Sequence, residues 1–451
     1  PEAPRRPASL LAEDAARWLG QGAAGPLSLA NILGDLTAHI NKPDPAFGWT
    51  DTGDRYHGSR QVGSALVSYT AYVLNVTSLT FLAPGETSRS VWWHPMIVVV
   101  PSGFAGGDAP GKYVTFYTGG AGTSNEDMLA GANFHNNADV VGAIDLAVNT
   151  GIITTALLQV PNQPIVFAAD ETHLERFEDA YKSFSATLFQ NSSVFTTNRL
   201  DLQPDIVMMK AVIRCMNALQ QFSKQTLSAE IEHFALTGCS KRGAASWQVA
   251  AIDPRVTALL PCVLPINHQA GNSLQYRALN AYSFAMQDYV EDTLRTDGND
   301  LYGKHAPDEQ LANTYSMAVG DPFYMVDRYT MPTFVFLAMN DEFFAPDDTR
   351  NYFSLLPGPK TLLGHPNLAH VGVLGMANFV PAMAPWLRAQ ALNETIPQIA
   401  WTIDNVTGSI SATQVSAHTP TSVNLWTAHS CSGSRRDFRY LTADQGVSCF
   451  Q

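Results

Sequence analysis

The pattern of apolar and polar positions divides this 451-residue chain into stretches of different character. Residues 1–60 are rich in Pro, Gly and Asp and show weak periodicity, so we expect them to wrap the surface. Ala65–Leu82 is dense in β-branched and aromatic residues and predicts one or two antiparallel strands. Trp92–Pro101 ends in a continuous apolar run, typical of a strand buried on both faces, and Lys112–Gly120 predicts a second such strand.

Helix and strand patterns then alternate as far as about residue 391. Periodicity predicts helices over Ala138–Asn149, Glu171–Leu188, Asp205–Phe222 and Gly372–Ala391, and strands over Ile152–Val160, Val256–Leu264 and Thr333–Met339. The methionines that share one face of Asp205–Phe222 are expected to lie in the core. Strands that alternate with helices predict a mostly parallel sheet covered on both faces, which is an α/β fold.

The composition of successive segments predicts two domains and one insertion. Residues 1–395 carry the α/β pattern, interrupted at 265–331 by a segment rich in Tyr and Asn that we expect to form a lid or a pocket wall. Residues 396–451 change to Ser, Thr and Val in short alternating stretches, which predicts a small, sandwich-like β domain. Because so short a domain is marginal alone, we expect it to dock on the larger domain as a structural unit rather than to bind glycans.

The stretch Phe234–Val256 predicts a nucleophile. An apolar run ends at Gly238, the sequence Cys-Ser-Lys-Arg-Gly follows, and a helical pattern comes directly after it. The α/β-hydrolases display a nucleophilic serine in this way, on a sharp turn between a strand and a helix. Their usual spacing is Gly-x-Ser-x-Gly, whereas here the second glycine, Gly243, comes one place late. Since Gly-x-Ser also occurs in ordinary turns, the motif alone does not decide for Ser240.

A serine nucleophile needs a histidine to take its proton and a carboxylate to orient that histidine. In α/β-hydrolases the acid and then the histidine follow the serine in the chain. Asp341 lies just beyond the strand pattern Thr333–Met339, and His370 lies in the loop before the last helix. The sequence therefore predicts the triad Ser240, Asp341 and His370. The alternatives that stay open are Glu342, Asp347 or Asp348 as the acid and His365 as the base.

Other polar residues are candidates for binding the reacting groups. The amide of Lys241 and that of Gly120, in the Gly-rich loop after a central strand, are expected to stabilise an oxyanion, although that loop is also typical of an ordinary turn. Arg242 is expected either to bind a substrate anion or to lie in a buried salt bridge. His268, early in the insertion, is expected to line the pocket. His94, at the start of an apolar strand, is expected to be structural.

Charge and composition exclude several classes of function. The formal net charge of −13 argues against nucleic acid and against anionic membranes as partners. No apolar run approaches the ~18 residues that a membrane-spanning helix needs. No Cys and His spacing resembles a zinc site, so we expect neither a metal nor another cofactor.

Sequons and cysteines favour a secreted glycoprotein. Four tripeptides fit the N-glycosylation pattern, at Asn75, Asn191, Asn393 and Asn405. Such tripeptides also arise by chance in cytosolic proteins. Of the five cysteines, Cys431 and Cys449 are spaced for a disulfide that closes a small loop in the predicted β domain.

Several motifs taken together resemble the PhoPQ-activated pathogenicity-related protein family, which includes the autocrine proliferation repressors of amoebae. They are Leu236-Thr-Gly-Cys-Ser-Lys-Arg-Gly243, Ala250–Val256, Val160–Pro164, Arg176-Phe-Glu-Asp179, Trp92–His94, Tyr282–Tyr289 and Asp341–Asp348. The resemblance runs from about residue 36 to the tail. It implies an α/β-hydrolase with a C-terminal β-sandwich, and members of the family often carry the late-glycine form. This chain departs from the family at Ala244, where Trp is common, and at Cys239, where Ala is common.

Two hypotheses of function follow. The first is a secreted serine hydrolase that acts on a small-molecule ester or peptide through an acyl-enzyme. The second is a secreted signalling or interaction protein that uses a hydrolase scaffold to bind a cell-surface receptor. The resemblance raises the expectation for the triad but does not choose between ester and peptide bonds.

Overall fold

In the part of the chain that the structure describes, nine strands form one sheet. The structure is a computed structural model that describes residues 29–104, 110–120, 136–191, 197–279, 281–292, 316, 318–370, 379–404, 406–416, 418–427 and 429. The strands are β1 (Gly48–Val62), β2 (Ala65–Thr80), β3 (Val91–Pro101), β4 (Tyr113–Thr118), β5 (Ile153–Leu157), β6 (His233–Cys239), β7 (Val256–Cys262), β8 (Thr333–Ala338) and β9 (Lys360–His365). Their order across the sheet is β1-β2-β3-β5-β4-β6-β7-β8-β9.

The sheet is antiparallel at one edge and parallel over the rest. β1, β2, β3 and β5 pair antiparallel, whereas β5, β4, β6, β7, β8 and β9 pair parallel. This arrangement confirms the mostly parallel sheet. The expectation that residues 1–60 only wrap the surface is wrong for β1, a long edge strand. Both faces of β1 stay partly exposed, so its sequence lacks the apolar alternation by which strands are recognised.

Helices cover both faces of the sheet, as predicted. They are α1 (Leu29–Asn41), α2 (Ala138–Thr150), α3 (Glu178–Asn191), α4 (Pro204–Phe222), α5 (Lys241–Ile252), α6 (His268–Leu279), α7 (Gln287–Asp292) and α8 (Val380–Leu392). Side chains of α1, α4 and α5 share one hydrophobic core with Met96 and Val98 of β3. Side chains of α2 and α8 share the opposite core with Ile97 and Val99 of the same strand. This alternation along β3 is what a sheet buried on both faces requires.

Predicted and observed boundaries agree closely except at the starts of α3 and α8. The helix predicted over Gly372–Ala391 is observed as Val380–Leu392, and residues 371–378 lie outside the described residues. The methionine face of α4 is fully buried, at Met208, Met209 and Met216. The helix predicted from Glu171 begins only at Glu178. Before that helix, Asp170 accepts hydrogen bonds from Thr172 and Arg176. The segment between Asp170 and Glu178 therefore closes into a turn instead of a helix.

The order of the strands places a crevice at the carboxyl ends of β4 and β6. After β4, the chain first adds β5 next to one edge of β4 and then adds β6 next to the other edge of β4. Loops that leave neighbouring strands in opposite directions open a crevice at such a switch point, where α/β proteins bind their ligands. Gly119 and Gly120 follow β4 and Ser240 follows β6, so both predicted site segments lie at this edge.

The predicted insertion and C-terminal domain are described in part. Within 265–331, the structure describes α6, α7 and the short helices Phe284–Met286 and Pro322–Arg328. Beyond residue 396, β10 (Ile399–Ile403) and β11 (Ile410–Gln414) pair as a separate antiparallel hairpin with exposed side chains. Residues 430–451 lie outside the described residues, so the boundaries of the C-terminal domain stay a prediction.

Candidate active site

Ser240 stands on a strained turn between β6 and α5. Its φ of 57° and ψ of −132° are unusual for a residue with a side chain, and Lys241 begins the helix directly after it. The Ser240 amide donates to the Cys262 carbonyl at the end of β7, at 2.9 Å. A strand, a strained serine and a helix in immediate succession are the geometry of a nucleophile elbow.

Two glycines explain how the turn tightens. A Cβ on Gly238 would lie 2.7 Å from the Arg242 carbonyl oxygen, and a Cβ on Gly243 would lie 3.1 Å from the Gly238 carbonyl oxygen. The late glycine is therefore the residue at which α5 approaches the end of β6. Position 242 accommodates an arginine because Gly238, which carries no Cβ, lies against its backbone and Cβ.

Asp341 and His370 form a buried pair. His370 Nδ1 lies 3.0 Å and 2.8 Å from the two carboxylate oxygens of Asp341, and the two residues are 8% and 5% exposed. Asp341 Oδ1 also accepts from the amides of Phe343 and Phe344. The Glu342 carboxylate accepts from the His370 amide instead, at 2.7 Å. This arrangement directs Nδ1–H toward Asp341 and leaves Nε2 as the proton acceptor.

A cavity connects Ser240 to the neighbourhood of His370. Ser240, Phe343 and Phe344 line it together, and the Phe343 ring centroid lies 4.5 Å from that of His370. Among the described residues, no hydrogen bond joins the Ser240 hydroxyl to His370. Ser240 therefore lines the cavity, and the His370 ring contacts Phe343 and Phe344, which form part of the cavity wall.

The cluster of Glu178, Asp179, Lys241 and Arg242, here called the charge cluster, lies beside Ser240. Arg242 donates to both carboxylate oxygens of Glu178, at 2.6 Å each, and Lys241 Nζ lies 3.0 Å from Glu178. Lys241 Nζ also lies 3.1 Å from Asp179, which accepts from the Tyr289 hydroxyl in the insertion. The cluster joins the first turns of α3 and α5 to the insertion.

Of the two predicted roles for Arg242, the structure favours the buried salt bridge. The residue is 9% exposed, and Nε donates to the Val160 carbonyl at 2.5 Å. Burial raises the pKa of Glu178, but attraction by Arg242 and then Lys241 outweighs that effect, so the pKa of Glu178 lies well below its ordinary value. Both partners are ionised at neutral pH, and the guanidinium is occupied inside the protein.

The Gly120 amide, which was expected to stabilise an oxyanion, is hydrogen-bonded within the protein. It donates to Asp139 Oδ2 at 3.2 Å, and a Cβ on Gly120 would overlap the Arg242 guanidinium. Asp139 is buried and also accepts from the Tyr117 hydroxyl. Because a carboxylate already occupies the Gly120 amide, that amide is not free for a substrate oxyanion. The Lys241 amide lies in the first turn of α5, where it has no intrahelical acceptor, and its role in stabilising an oxyanion stays a prediction.

Two other histidines considered from the sequence, His268 and His94, lie in different environments. His268 lines the cavity, and its ring stacks near that of Phe344, with centroids 6.3 Å apart. His94 is fully buried, with its ring nitrogens facing Ser78 and the carbonyls of Leu158 and Gln159. Burial lowers the pKa of His94 to about 4, so it is neutral and structural as predicted.

The structure describes only some of the predicted modification sites. Asn393 is exposed at the end of α8, and Asn75 is half-buried within β2. The Asn191 side chain, Asn405, Cys431 and Cys449 lie outside the described residues. Cys239 and Cys262 are in-register neighbours on β6 and β7 and are free thiols.

Among the described residues, no three or more His, Cys, Asp and Glu side chains are grouped to hold a metal ion. No helix in the described ranges combines the length and the apolar character needed to cross a membrane.

Residues 51–439 match the family model described as PhoPQ-activated pathogenicity-related protein. The chain belongs to this family. It is also 30% identical over 425 residues to autocrine proliferation repressor protein A of Dictyostelium discoideum, a match that covers 92% of this chain and 78% of the relative.

Solved structures with similar folds include two acetyl xylan esterases. Acetyl xylan esterase 1 from Thermoanaerobacterium sp. JW/SL YS485 is 13% identical, with 79% of this chain and 94% of that chain covered at a TM-score of 0.47. The enzyme from Paenibacillus sp. R4 is 15% identical, with 78% and 92% covered at a TM-score of 0.44. Because function depends on the site rather than the fold, the chemistry has to be argued from this chain's own residues.

Reasoning from single motifs missed the role of Glu178 and Asp179. The motif Arg176-Phe-Glu-Asp179 stood out in the sequence only because it resembles a motif of the PhoPQ-activated family. The same holds for Gln163, whose amide group donates to Glu178 at 2.8 Å. No local spacing connects these residues to Ser240, because they reach it through the fold.

We expect Gly238→Ala to lower the free energy of unfolding by about 1–3 kcal/mol, because the added Cβ pushes against the first turn of α5. Denaturant unfolding measures this change. Gly34→Ala is the control, since Gly34 lies in α1 with open space around its Cα. The control should be neutral or should stabilise by up to about 1 kcal/mol. Equal stability of the two variants would contradict the close approach at Gly238.

We expect Glu178→Gln to lower the free energy of unfolding by about 2–3 kcal/mol at pH 7, because it leaves buried Arg242 without its carboxylate partner. The folded pKa of Glu178 is depressed, so its contribution is complete above the ordinary carboxyl pKa and is lost as pH falls below it. The difference between wild type and variant should therefore shrink in acid.

The control for this variant is Glu232→Gln. Glu232 pairs with Lys112 at 2.6 Å, but its side chain is 47% exposed, so the change should cost far less than Glu178→Gln. The measurement is the denaturant midpoint of each variant and of the wild type between pH 3 and pH 8. If Glu178→Gln lost the same free energy of unfolding at every pH, the ion pair would not be the cause of the loss.

Proposed function

We propose that this protein is a serine hydrolase that cleaves an ester or peptide acyl bond through an acyl-enzyme. The observation that carries the proposal is the strained Ser240, which lines a cavity whose aromatic wall packs on the Asp341-oriented His370. A serine in a costly backbone conformation beside a cavity is typical of a nucleophile rather than of a structural turn.

In the proposed mechanism, Ser240 Oγ attacks the acyl carbon and His370 Nε2 takes its proton. Asp341 holds the imidazole by Nδ1 and stabilises the imidazolium that forms. The Lys241 amide and the positive end of the α5 dipole face the developing oxyanion. His370 then protonates the leaving group, and a water molecule hydrolyses the acyl-enzyme by the reverse sequence. The hydrogen bond between Ser240 and His370 forms as substrate binds, since such bonds tighten in the complex.

A second candidate function is a secreted interaction protein. Two observations favour it: the relative in Dictyostelium discoideum is named as a proliferation repressor, and the β10–β11 hairpin exposes large apolar side chains. Trp401 is 55% exposed and Ile403 is 51% exposed. On this hypothesis the hairpin belongs to a surface that binds a cell-surface receptor, and Ser240 is dispensable.

We expect a fluorophosphonate probe to label the wild-type protein and not Ser240→Ala, because the probe reacts only with an activated serine. Gel fluorescence or intact mass measures the labelling. Ser246→Ala is the matched control: Ser246 lies two turns further into α5 and donates to the Arg242 carbonyl, so this variant should still be labelled. Folded wild-type protein that is not labelled would favour the interaction protein instead.

The proposed secretion makes a separate prediction. Protein expressed through a secretory pathway should lose mass on enzymatic deglycosylation, with exposed Asn393 among the occupied sites. Reduction should then add the mass of two hydrogens for a disulfide between Cys431 and Cys449. Intact mass spectrometry measures both changes. Unmodified protein with five free thiols would overturn the secreted assignment.

A further inference from the structure

We propose that Tyr289, in the insertion, is a positioning residue that holds Lys241 in place through Asp179. This contact fixes the first turn of α5, which begins directly after Ser240. The inference rests on the proposed hydrolase activity and adds a residue of the insertion to the site. Tyr289 ends the motif Tyr282–Tyr289, one of those that resemble the PhoPQ-activated family, and it lines the same cavity as Ser240.

A hydrogen bond joins Tyr289 to the charge cluster. Its hydroxyl donates to Asp179 Oδ1 at 2.7 Å. Burial and then the charge of Asp179 raise the pKa of Tyr289 well above its ordinary value, so the hydroxyl stays protonated and remains a donor. A hydroxyl that donates to a carboxylate makes one of the stronger hydrogen bonds found in proteins. The insertion is therefore bound to the start of α3 at this point.

Asp179 connects Tyr289 to the residue that follows the proposed nucleophile. The carboxylate oxygen that accepts from Tyr289 also lies 3.1 Å from Lys241 Nζ. Burial raises the pKa of Asp179, but attraction by Lys241 and the Tyr289 hydrogen bond outweigh that effect, so its pKa lies below the ordinary value. The Lys241 side chain is 6% exposed, and Glu178 lies 3.0 Å from the same ammonium group. Two carboxylates of α3 thus restrain Lys241.

The turn at Ser240 needs such restraint. A non-glycine residue with a φ of 57° is strained, and it keeps that conformation only where the surrounding contacts determine it. The Ser240 amide is held by the Cys262 carbonyl at 2.9 Å, and Lys241 begins the helix on the other side of the turn. Fixing the Lys241 side chain limits how far the serine hydroxyl can shift. A shift of about 1 Å at reacting groups costs about 10²-fold in rate.

The ring of Tyr289 faces the histidine side of the site. Tyr289 and Phe343 both pack against the buried side chain of Met286. The centroid of the Phe343 ring lies 4.5 Å from that of His370. Tyr289 is therefore connected to the nucleophile elbow by its hydroxyl and to the histidine by packing of its ring. Removing the hydroxyl alone separates these two contacts.

The test is Tyr289→Phe, which removes the hydroxyl and keeps the ring. We expect the second-order rate constant for fluorophosphonate labelling of Ser240 to fall by about tenfold or more, because the serine is less well aligned. In hydrolysis of p-nitrophenyl acetate, kcat should fall by a similar factor while KM changes by less than about twofold. A merely structural role would lower the denaturant midpoint and leave both rates of the folded protein unchanged.

The matched control is Tyr276→Phe. Tyr276 lies in α6 of the same insertion and packs against Tyr282, with ring centroids 4.8 Å apart. It is not among the described residues that line the cavity. This variant loses the same hydroxyl from the insertion without touching the charge cluster. Its labelling rate should therefore equal that of the wild type.

A double-mutant cycle tests whether the effect passes through Asp179. Asp179→Asn breaks the same connection from its other end, so it should also slow labelling. If Tyr289 acts through this carboxylate, the double variant should be no slower than Asp179→Asn alone. Losses that multiply in the double variant would show that the two residues act independently, and would overturn the inference.

The outcomes separate this inference from the proposed function. If the wild type is labelled and Tyr289→Phe is labelled at the same rate, the positioning role is wrong and the hydrolase stands. A lower denaturant midpoint with an unchanged labelling rate would also overturn the positioning role. If the wild type is neither labelled nor active on the ester, the hydrolase is wrong and the positioning role falls with it.

Discussion

The ion pair between Glu178 and Arg242 is the interaction on which the geometry around Ser240 depends. A glycine two places after the serine would place no side chain at that position of α5. Arg242 instead places a guanidinium there, and that group needs both space and a counter-charge. Gly120 provides the space and Glu178 the charge, through two hydrogen bonds of 2.6 Å. Removing Glu178 would leave the buried guanidinium without its hydrogen-bonded carboxylate, which is costlier than losing a surface pair.

This arrangement accounts for the displaced glycine. The helix still has to approach the end of β6, and it does so at Gly243, whose Cα faces the Gly238 carbonyl and the last residues of β7. The close contact between α5 and β6 therefore lies one residue further along the helix than in the usual motif. Arg242 in turn connects α5 to Val160, after β5, and to Glu178, at the start of α3. The strained conformation of Ser240 is retained because contacts on both sides of the turn determine it.

The sequence predicted those parts of the fold whose signals are local. The alternating strands and helices, the methionine face of α4 and the order of Ser240, Asp341 and His370 all follow from periodicity or chain order. β1 was missed because an edge strand with partly exposed faces has no apolar alternation. Glu178 was missed because it meets Arg242 across 64 residues of sequence, and no pattern within either segment indicates that contact. Gly120 was assigned to an oxyanion because its Gly-rich loop follows a central strand, and nothing in that loop indicates that the Asp139 carboxylate accepts from its amide.

The balance of charge near Ser240 indicates where stabilisation of an oxyanion has to come from. Lys241 and Arg242 are two positive charges, but Glu178, Asp179 and Asp139 bring three negative charges into the same region. The side chains therefore supply no net positive potential to a negatively charged intermediate. Fixed backbone dipoles remain, and the amides in the first turn of α5, directly after Ser240, have no intrahelical acceptor. Catalysis at this site would then rest on preorganised amides rather than on the two cations that the sequence places directly after the serine.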